Sequence, residues 1–209
     1  MHPFSLLARA YGHLRFTLWG SSLGLGRPLP QKAFDHEYES GAWDHFFGPA
    51  ELPRHEALLE LIGLVTLRPY LLDIGCGSGR LASLLNSANL SDYLGVDLSS
   101  AGLARASALA LPHGRFLQAN FEHWTPEPGR FDVIAFNECL GYASDPLRTA
   151  RRFASTLRPG GALAVSHYQS SNHVAFWRRL GLDFEFAAAR VVTNSAGQVW
   201  DVRLLRSRP

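Results

Sequence analysis

The chain has 209 residues, 46% of them hydrophobic, and a formal net charge of +2. That length fits one domain with enough residues to bury a core. The basic residues are scattered, so nothing would track a phosphate backbone and no nucleic-acid partner is expected. Two cysteines, Cys76 and Cys139, make no disulfide framework, and no Cys/His cluster has zinc-ligand spacing, so no metal is expected. A reducing, cytoplasmic compartment is the simplest reading.

Residues 3–19 read PFSLLARAYGHLRFTLW. Arg9, His13 and Arg15 interrupt the apolar residues, which argues against a signal-peptide core. Phe4, Leu7, Tyr11, Leu14 and Leu18 would share one face of a short amphipathic helix. Such an arm would pack on its own domain or on a second subunit, lie on a membrane surface, or remain disordered. The oligomeric state is left open. Residues 20–34 (GSSLGLGRPLPQKAF) are rich in Gly, Pro and Ser and read as a linker. This divides the chain into an arm and linker, 1–34, and a domain, 35–209.

Within the domain, helices and strands alternate. Pro53 starts a helix with Leu58, Leu59, Leu61, Ile62 and Val65, because proline has no N–H to leave unpaired in a first turn. Residues 70–74 form a short buried strand and 79–88 a helix. A second strand, 93–97, precedes a helix at 99–110. A third strand covers 115–119. A fourth, 131–136, is apolar almost throughout, as a central parallel strand should be. Ser144 or Asp145 caps a helix that Pro146 starts and Pro159-Gly160-Gly161 ends. A fifth strand covers 162–167. The last two runs, 184–193 and 198–205, are joined by only four residues. No crossover helix fits there, so they form an antiparallel hairpin. The predicted fold is therefore α/β: a Rossmann-like, doubly wound, mostly parallel sheet ending in an antiparallel hairpin.

The strongest functional signal is LLDIGCGSGRL at 71–81. Gly75, Cys76, Gly77 and Gly79 lie in a strand-to-helix turn where backbone can approach a ligand. By themselves the glycines fit a tight turn equally. Asp97 ends the second strand, with Leu98 after it, placed to accept hydrogen bonds from both hydroxyls of a ribose. It could also cap the following helix.

DIGCGSG, YLGVDLS, FDVIAFNECLGY and LRPGG together resemble the motifs of class I S-adenosylmethionine-dependent methyltransferases, over roughly residues 35–206. The resemblance implies S-adenosylmethionine as cofactor. Asp73 matches the family's acid before the glycines. Its charge suits an ammonium and a sulfonium, where an NAD-binding loop must accept a pyrophosphate. Asp97 matches the ribose-binding acid. Asn120 stands where relatives often have an Asp for the adenine amino group, and its amide oxygen can accept the same bond. Phe121 would pack on the adenine or in the core. Tyr142 replaces a frequent His and would stack near the cofactor or simply pack. YESGAWD resembles the N-terminal cap of relatives that methylate small molecules. Tyr38 and Trp43 would close over the methionine part or pack the arm.

On the acceptor side, Asn137 and Glu138 follow strand four; His167 and Tyr168 follow strand five, with His173 nearby. Asn137 is read as part of the cofactor site. Glu138 would bind an amine acceptor or accept backbone N–H bonds. His167 is the candidate base, with a structural histidine as its rival. No Asn-Pro-Pro-Tyr sequence follows strand four, which counts against base amino groups in DNA and protein glutamine. The resemblance implies a small-molecule or glycan-type acceptor with an N or O nucleophile. The alternatives are a non-methylating binder of the same cofactor and an NAD-dependent oxidoreductase, the latter disfavoured by Asp73 and the hairpin.

Overall fold

The computed structural model describes residues 20 and 22–208. The amphipathic reading of residues 3–19 lies outside the described residues. Seven strands form one sheet in the order β3-β2-β1-β4-β5-β7-β6. β1 (Tyr70–Ile74), β2 (Asp92–Asp97), β3 (Phe116–Gln118), β4 (Phe131–Asn137) and β5 (Leu157–Tyr168) run parallel. β6 (Phe184–Thr193) and β7 (Val199–Ser207) add the antiparallel hairpin. This is the α/β architecture read from the sequence. Asn194 fixes the hairpin turn: its side-chain oxygen accepts from Ala196 N and Gln198 N, both at 2.9 Å.

Strand alternation sorts the core onto two faces. Leu72, Ile74 and Phe136 pack with Phe153, Phe176 and Trp177 on one side. Leu71, Tyr93 and Val133 pack with Leu58, Leu61 and Leu81 on the other. Each such buried side chain contributes roughly 1.5–3 kcal/mol. The covering helices are α1 (Gln31–Glu39), α2 (Leu52–Gly63), α3 (Arg80–Leu84), α4 (Ser100–Ala108), α5 (Pro146–Ala154) and α6 (His173–Leu180). No described helix is long and apolar enough to cross a membrane.

Four local differences from the sequence reading have physical causes. α1 begins inside the stretch read as linker, because the Gly/Pro-rich composition ends at Pro30, whose extended backbone starts the helix. α3 ends four residues early, where Asn86 accepts from Ala88 N and turns the chain into a 3-10 turn, Ser87–Asn89. β5 starts at Leu157, and an irregularity in its register against β4 absorbs the Pro159-Gly160 pair. α6 was not anticipated; its buried residues are Phe176, Trp177 and Leu180.

Candidate active site

Strand order reverses between β1 and β4, and in such sheets ligands bind outside the carboxyl ends at that point. A cavity of about 340 Å³ lies there, bounded by the glycine loop, Asp97 and the ends of β4 and β5. That is at the small end of the range for ligand sites.

The β1 end supplies Asp73. Its Oδ2 accepts the Tyr93 hydroxyl at 2.9 Å, while Oδ1 is buried without a hydrogen-bond partner. Burial raises its carboxyl to about 7, against the Tyr93 bond, with Asp97 adding repulsion. A buried carboxylate oxygen in a cavity wall is poised for a cation. At the β2 end, Asp97 Oδ2 accepts from Gly77 N at 2.8 Å and Oδ1 from Ser99 N at 2.7 Å. Burial pushes its carboxyl up and these bonds pull it down. Asp97 therefore braces the glycine loop and still has lone pairs facing the cavity wall it shares with Leu98. Ser99, not Asp97, caps α4, accepting from Gly102 N at 3.0 Å.

The glycine loop contributes unequally. Gly75, Cys76 and Gly77 line the cavity. Gly77 has φ +53°, and a Cβ there would collide with the Tyr38 hydroxyl. Gly79 is outside the wall. Its left-handed backbone (φ +83°) brings it against Ala106 of α4, so it serves helix packing instead of the ligand, a correction to the sequence reading.

The N-terminal segment covers this half of the site. Asp35 of α1 accepts from Ser99 Oγ at 2.6 Å and Ala101 N at 3.2 Å, docking α1 on the start of α4. Asp44 pairs with Arg105. Tyr38 is buried and meets Trp43 edge-on at 4.7 Å; Phe34 meets Tyr142 edge-on at 5.2 Å. Tyr38, Trp43 and Tyr142 all line the cavity, as do Asn120 and Phe121 after β3. Asn120 Oδ1 already accepts from Glu122 N at 2.9 Å, leaving one lone pair.

At the β4 end, Asn137 Oδ1 accepts from Arg54 Nη1 and lies 2.8 Å from Ser166 Oγ. Glu138 follows in a left-handed backbone, φ +59°, a conformation that costs a non-glycine residue about 1–3 kcal/mol. Ser166 Oγ, 3.1 Å from Glu138 Oε1, and Tyr168 N, 3.1 Å from Oε2, hold the carboxyl in place. Burial raises this carboxyl, and the Arg54 charge opposes the rise.

His167 is not brought into the cavity wall. It points to the other face of β5, stacked on Phe176 at 3.9 Å and edge-on to Trp177 at 6.3 Å. Burial lowers its ring to about 4, and Nε2 is buried without a hydrogen-bond partner. The strand's alternation explains this: Ser166 faces the site, so His167 cannot. The candidate base is corrected to a packing residue. His173 is likewise outside the wall, hydrogen-bonded to the Ser170 carbonyl at 2.6 Å.

Sequence reading missed the first turn of α2. Arg54 is buried there, donating Nε at 3.2 Å and Nη2 at 2.7 Å to Glu51 Oε2, and it lies over Phe46 and Trp200. Three of the five guanidinium N–H groups are thus used, leaving two. A signal was available: a cation in a first turn opposes the helix dipole and asks for another reason to be there.

Residues 29–205 match the family described as "Methyltransferase domain". A trans-aconitate 2-methyltransferase of Deinococcus radiodurans is 36% identical over 119 residues, 56% of this chain and 45% of that protein. An Escherichia coli protein of the same name is 35% identical over 115 residues, 54% of this chain and 45% of that protein. The chain spans less than half the length of these curated relatives. Among solved structures, N-methyltransferase NodS of Bradyrhizobium japonicum, in complex with S-adenosylhomocysteine, superposes with a TM-score of 0.71 at 18% identity, covering 86% of this chain and 98% of that one. A Burkholderia thailandensis 1,6-didemethyltoxoflavin-N1-methyltransferase gives 0.71 at 19% identity, covering 86% and 87%. The chain belongs to the methyltransferase-domain family and, with it, to the class I S-adenosylmethionine-dependent methyltransferases.

Proposed function

We propose that the protein transfers a methyl group from S-adenosylmethionine to an N or O nucleophile of a small molecule. The observation that carries this is Asp73: a buried carboxylate oxygen with no partner, in the wall of a cavity shared with Asp97 and a glycine loop. An ammonium group satisfies Asp73 Oδ1. The two remaining N–H groups of Arg54 match a carboxylate. Asp97 accepts ribose hydroxyls, beside Leu98. The Asn120 oxygen and the Phe121 ring face an adenine. A Cβ at Gly77 would meet the Tyr38 hydroxyl, which supports a close backbone approach to the cofactor there.

When bound, the cofactor supplies an electrophilic methyl on a sulfonium and departs as a neutral thioether, so no general acid is needed. The protein's own work is orientation and water exclusion. Tyr38, Trp43 and Phe34 close the cavity on the side of α1. Glu138, fixed by Ser166 and the Tyr168 N–H, is placed to hold the N–H or O–H of an acceptor. The relatives named for trans-aconitate suggest a carboxylate acceptor as a second possibility, and a glycan-type acceptor is a third.

One solved structure of this fold, with a TM-score of 0.70 at 15% identity, is described as a [4+2]-cyclase, so the fold alone does not decide methylation. The test is incubation with methyl-labelled S-adenosylmethionine and a small-molecule extract. Label in a new product supports transfer. Tight cofactor binding with no label transferred supports a non-methylating binder.

A further inference from the structure

The acceptor end of the cavity has a distinctive wall. Eight Phe, Tyr and Trp side chains line the whole cavity, and Tyr168 and Trp200 are the two that β5 and β7 bring beside Glu138. Tyr168 and Trp200 are paired across β5 and β7, with rings 5.6 Å apart, and the Tyr168 N–H bonds Glu138. Rings 5.6 Å apart touch each other, and their outer faces can pack against a further flat ring.

The charges in the wall are one-sided. Among the described residues the guanidinium groups lining the cavity are those of Arg54 and Arg80, against the carboxyls of Glu51, Asp73, Asp97, Glu122 and Glu138. Arg54 is committed to Glu51 and Asn137, and its last two N–H groups are assigned to the cofactor's carboxylate. Arg80 follows the glycine loop and lies over Phe47, 5.3 Å from its ring centre. Burial and the neighbouring Arg54 hold the lining His55 near 4, so it is neutral at pH 7. Glu138 is the ionisable group at the junction of β4 and β5. A carboxylate placed beside it would lose its hydration and meet the Glu138 oxygens, with Arg54 already held by Glu51 and Asn137.

We infer that the acceptor is a neutral or cationic compound with a flat ring, its ring against Trp200 and Tyr168 and its N–H or O–H on Glu138, and that polycarboxylates are refused. This rests on the methyl-transfer reading, and it separates the chain from the relatives named for trans-aconitate.

The test uses the full chain saturated with S-adenosylhomocysteine, titrated by calorimetry with three kinds of probe: trans-aconitate, glucosamine, and a panel of phenols and indole or quinoline amines. At least one ring-bearing probe should bind tenfold or more tighter than the other two. Glu138→Gln should weaken it severalfold, as should Tyr168→Ala at an exposed position, with S-adenosylhomocysteine affinity unchanged in both. Trans-aconitate or glucosamine binding as tightly as every ring-bearing probe overturns the inference, as does ring binding indifferent to both variants. Failure of S-adenosylhomocysteine to bind at all would strike the underlying reading instead.

Discussion

The two halves of the cavity are built on different principles. The cofactor half is centred on one short stretch, residues 73–98, in which backbone does most of the shaping: a glycine loop, with one carboxylate at the end of β1 and one at the end of β2, ringed by Tyr38, Trp43, Asn120 and Phe121. The acceptor half is assembled from distant pieces: Glu138 after β4, Tyr168 at the end of β5, and Trp200 in β7. The first half is a local solution that many chains can share. The second depends on tertiary placement, so it is where one chain differs from its relatives.

The sharpest way to break this comparison is Gly77→Val. A side chain there meets the Tyr38 hydroxyl and demands a left-handed backbone that valine resists. Affinity for S-adenosylhomocysteine should fall by more than ~100-fold, about 2.7 kcal/mol. Circular dichroism should retain the helical signal. Unchanged affinity would place the ligand elsewhere.

Asp97→Ala should have the next largest effect. It removes the acceptor for the ribose and the brace on Gly77 N and Ser99 N. Charge-assisted bonds contribute about 1.5–3 kcal/mol each, so affinity should drop at least ~10-fold. Because the brace is also lost, melting temperature is measured alongside. A folded variant with wild-type affinity would contradict the assignment.

His167→Ala sharpens the contrast from the other side of the sheet. Turnover per folded molecule should stay within a few-fold, while stability falls through lost packing on Phe176. The pH dependence has a definite sign. His167 titrates near 4 in the folded chain and near 6.5 when unfolded, so below 6.5 the unfolded state binds the extra proton. The stability advantage of wild type over His167→Ala should therefore shrink as pH falls from 6.5 to 4, by roughly 3 kcal/mol in all. Comparing the two proteins isolates this ring, since Asp73, raised to about 7, pulls in the opposite sense. A gap that stays constant with pH, measured by urea denaturation, would refute the buried-neutral assignment.

A smaller effect reports on Asp73 itself. Its carboxyl is half-protonated near pH 7, and an ammonium partner would ionise it. Binding of S-adenosylhomocysteine at pH 6.5 should release up to about one proton, fading above pH 8. Calorimetry in buffers of different ionisation enthalpy measures this, and Asp73→Asn should abolish it.

What was legible in the sequence follows the same division. The sheet, its hairpin and residues 73 to 98 could be read because strand period, glycine spacing and a carboxylate at a strand end are all local patterns. His167 was misplaced by a single residue of strand phase: a strand end can be located from sequence, but which face each side chain takes near its tip depends on register. Arg54 and Trp200 could not be paired from sequence because they lie 146 positions apart and meet only through packing of α2 on β7. The helix at α1 was hidden by the Gly/Pro-rich composition just before it.

The most direct measurement of the central claim is a pair of calorimetric titrations of the wild-type chain, one with S-adenosylhomocysteine and one with NAD. An acid at the end of β1, facing the cavity beside the glycine loop, favours the ammonium of the first and repels the pyrophosphate of the second. The account predicts one site for S-adenosylhomocysteine and no detectable heat of NAD binding. NAD binding as tight as or tighter than S-adenosylhomocysteine would contradict it.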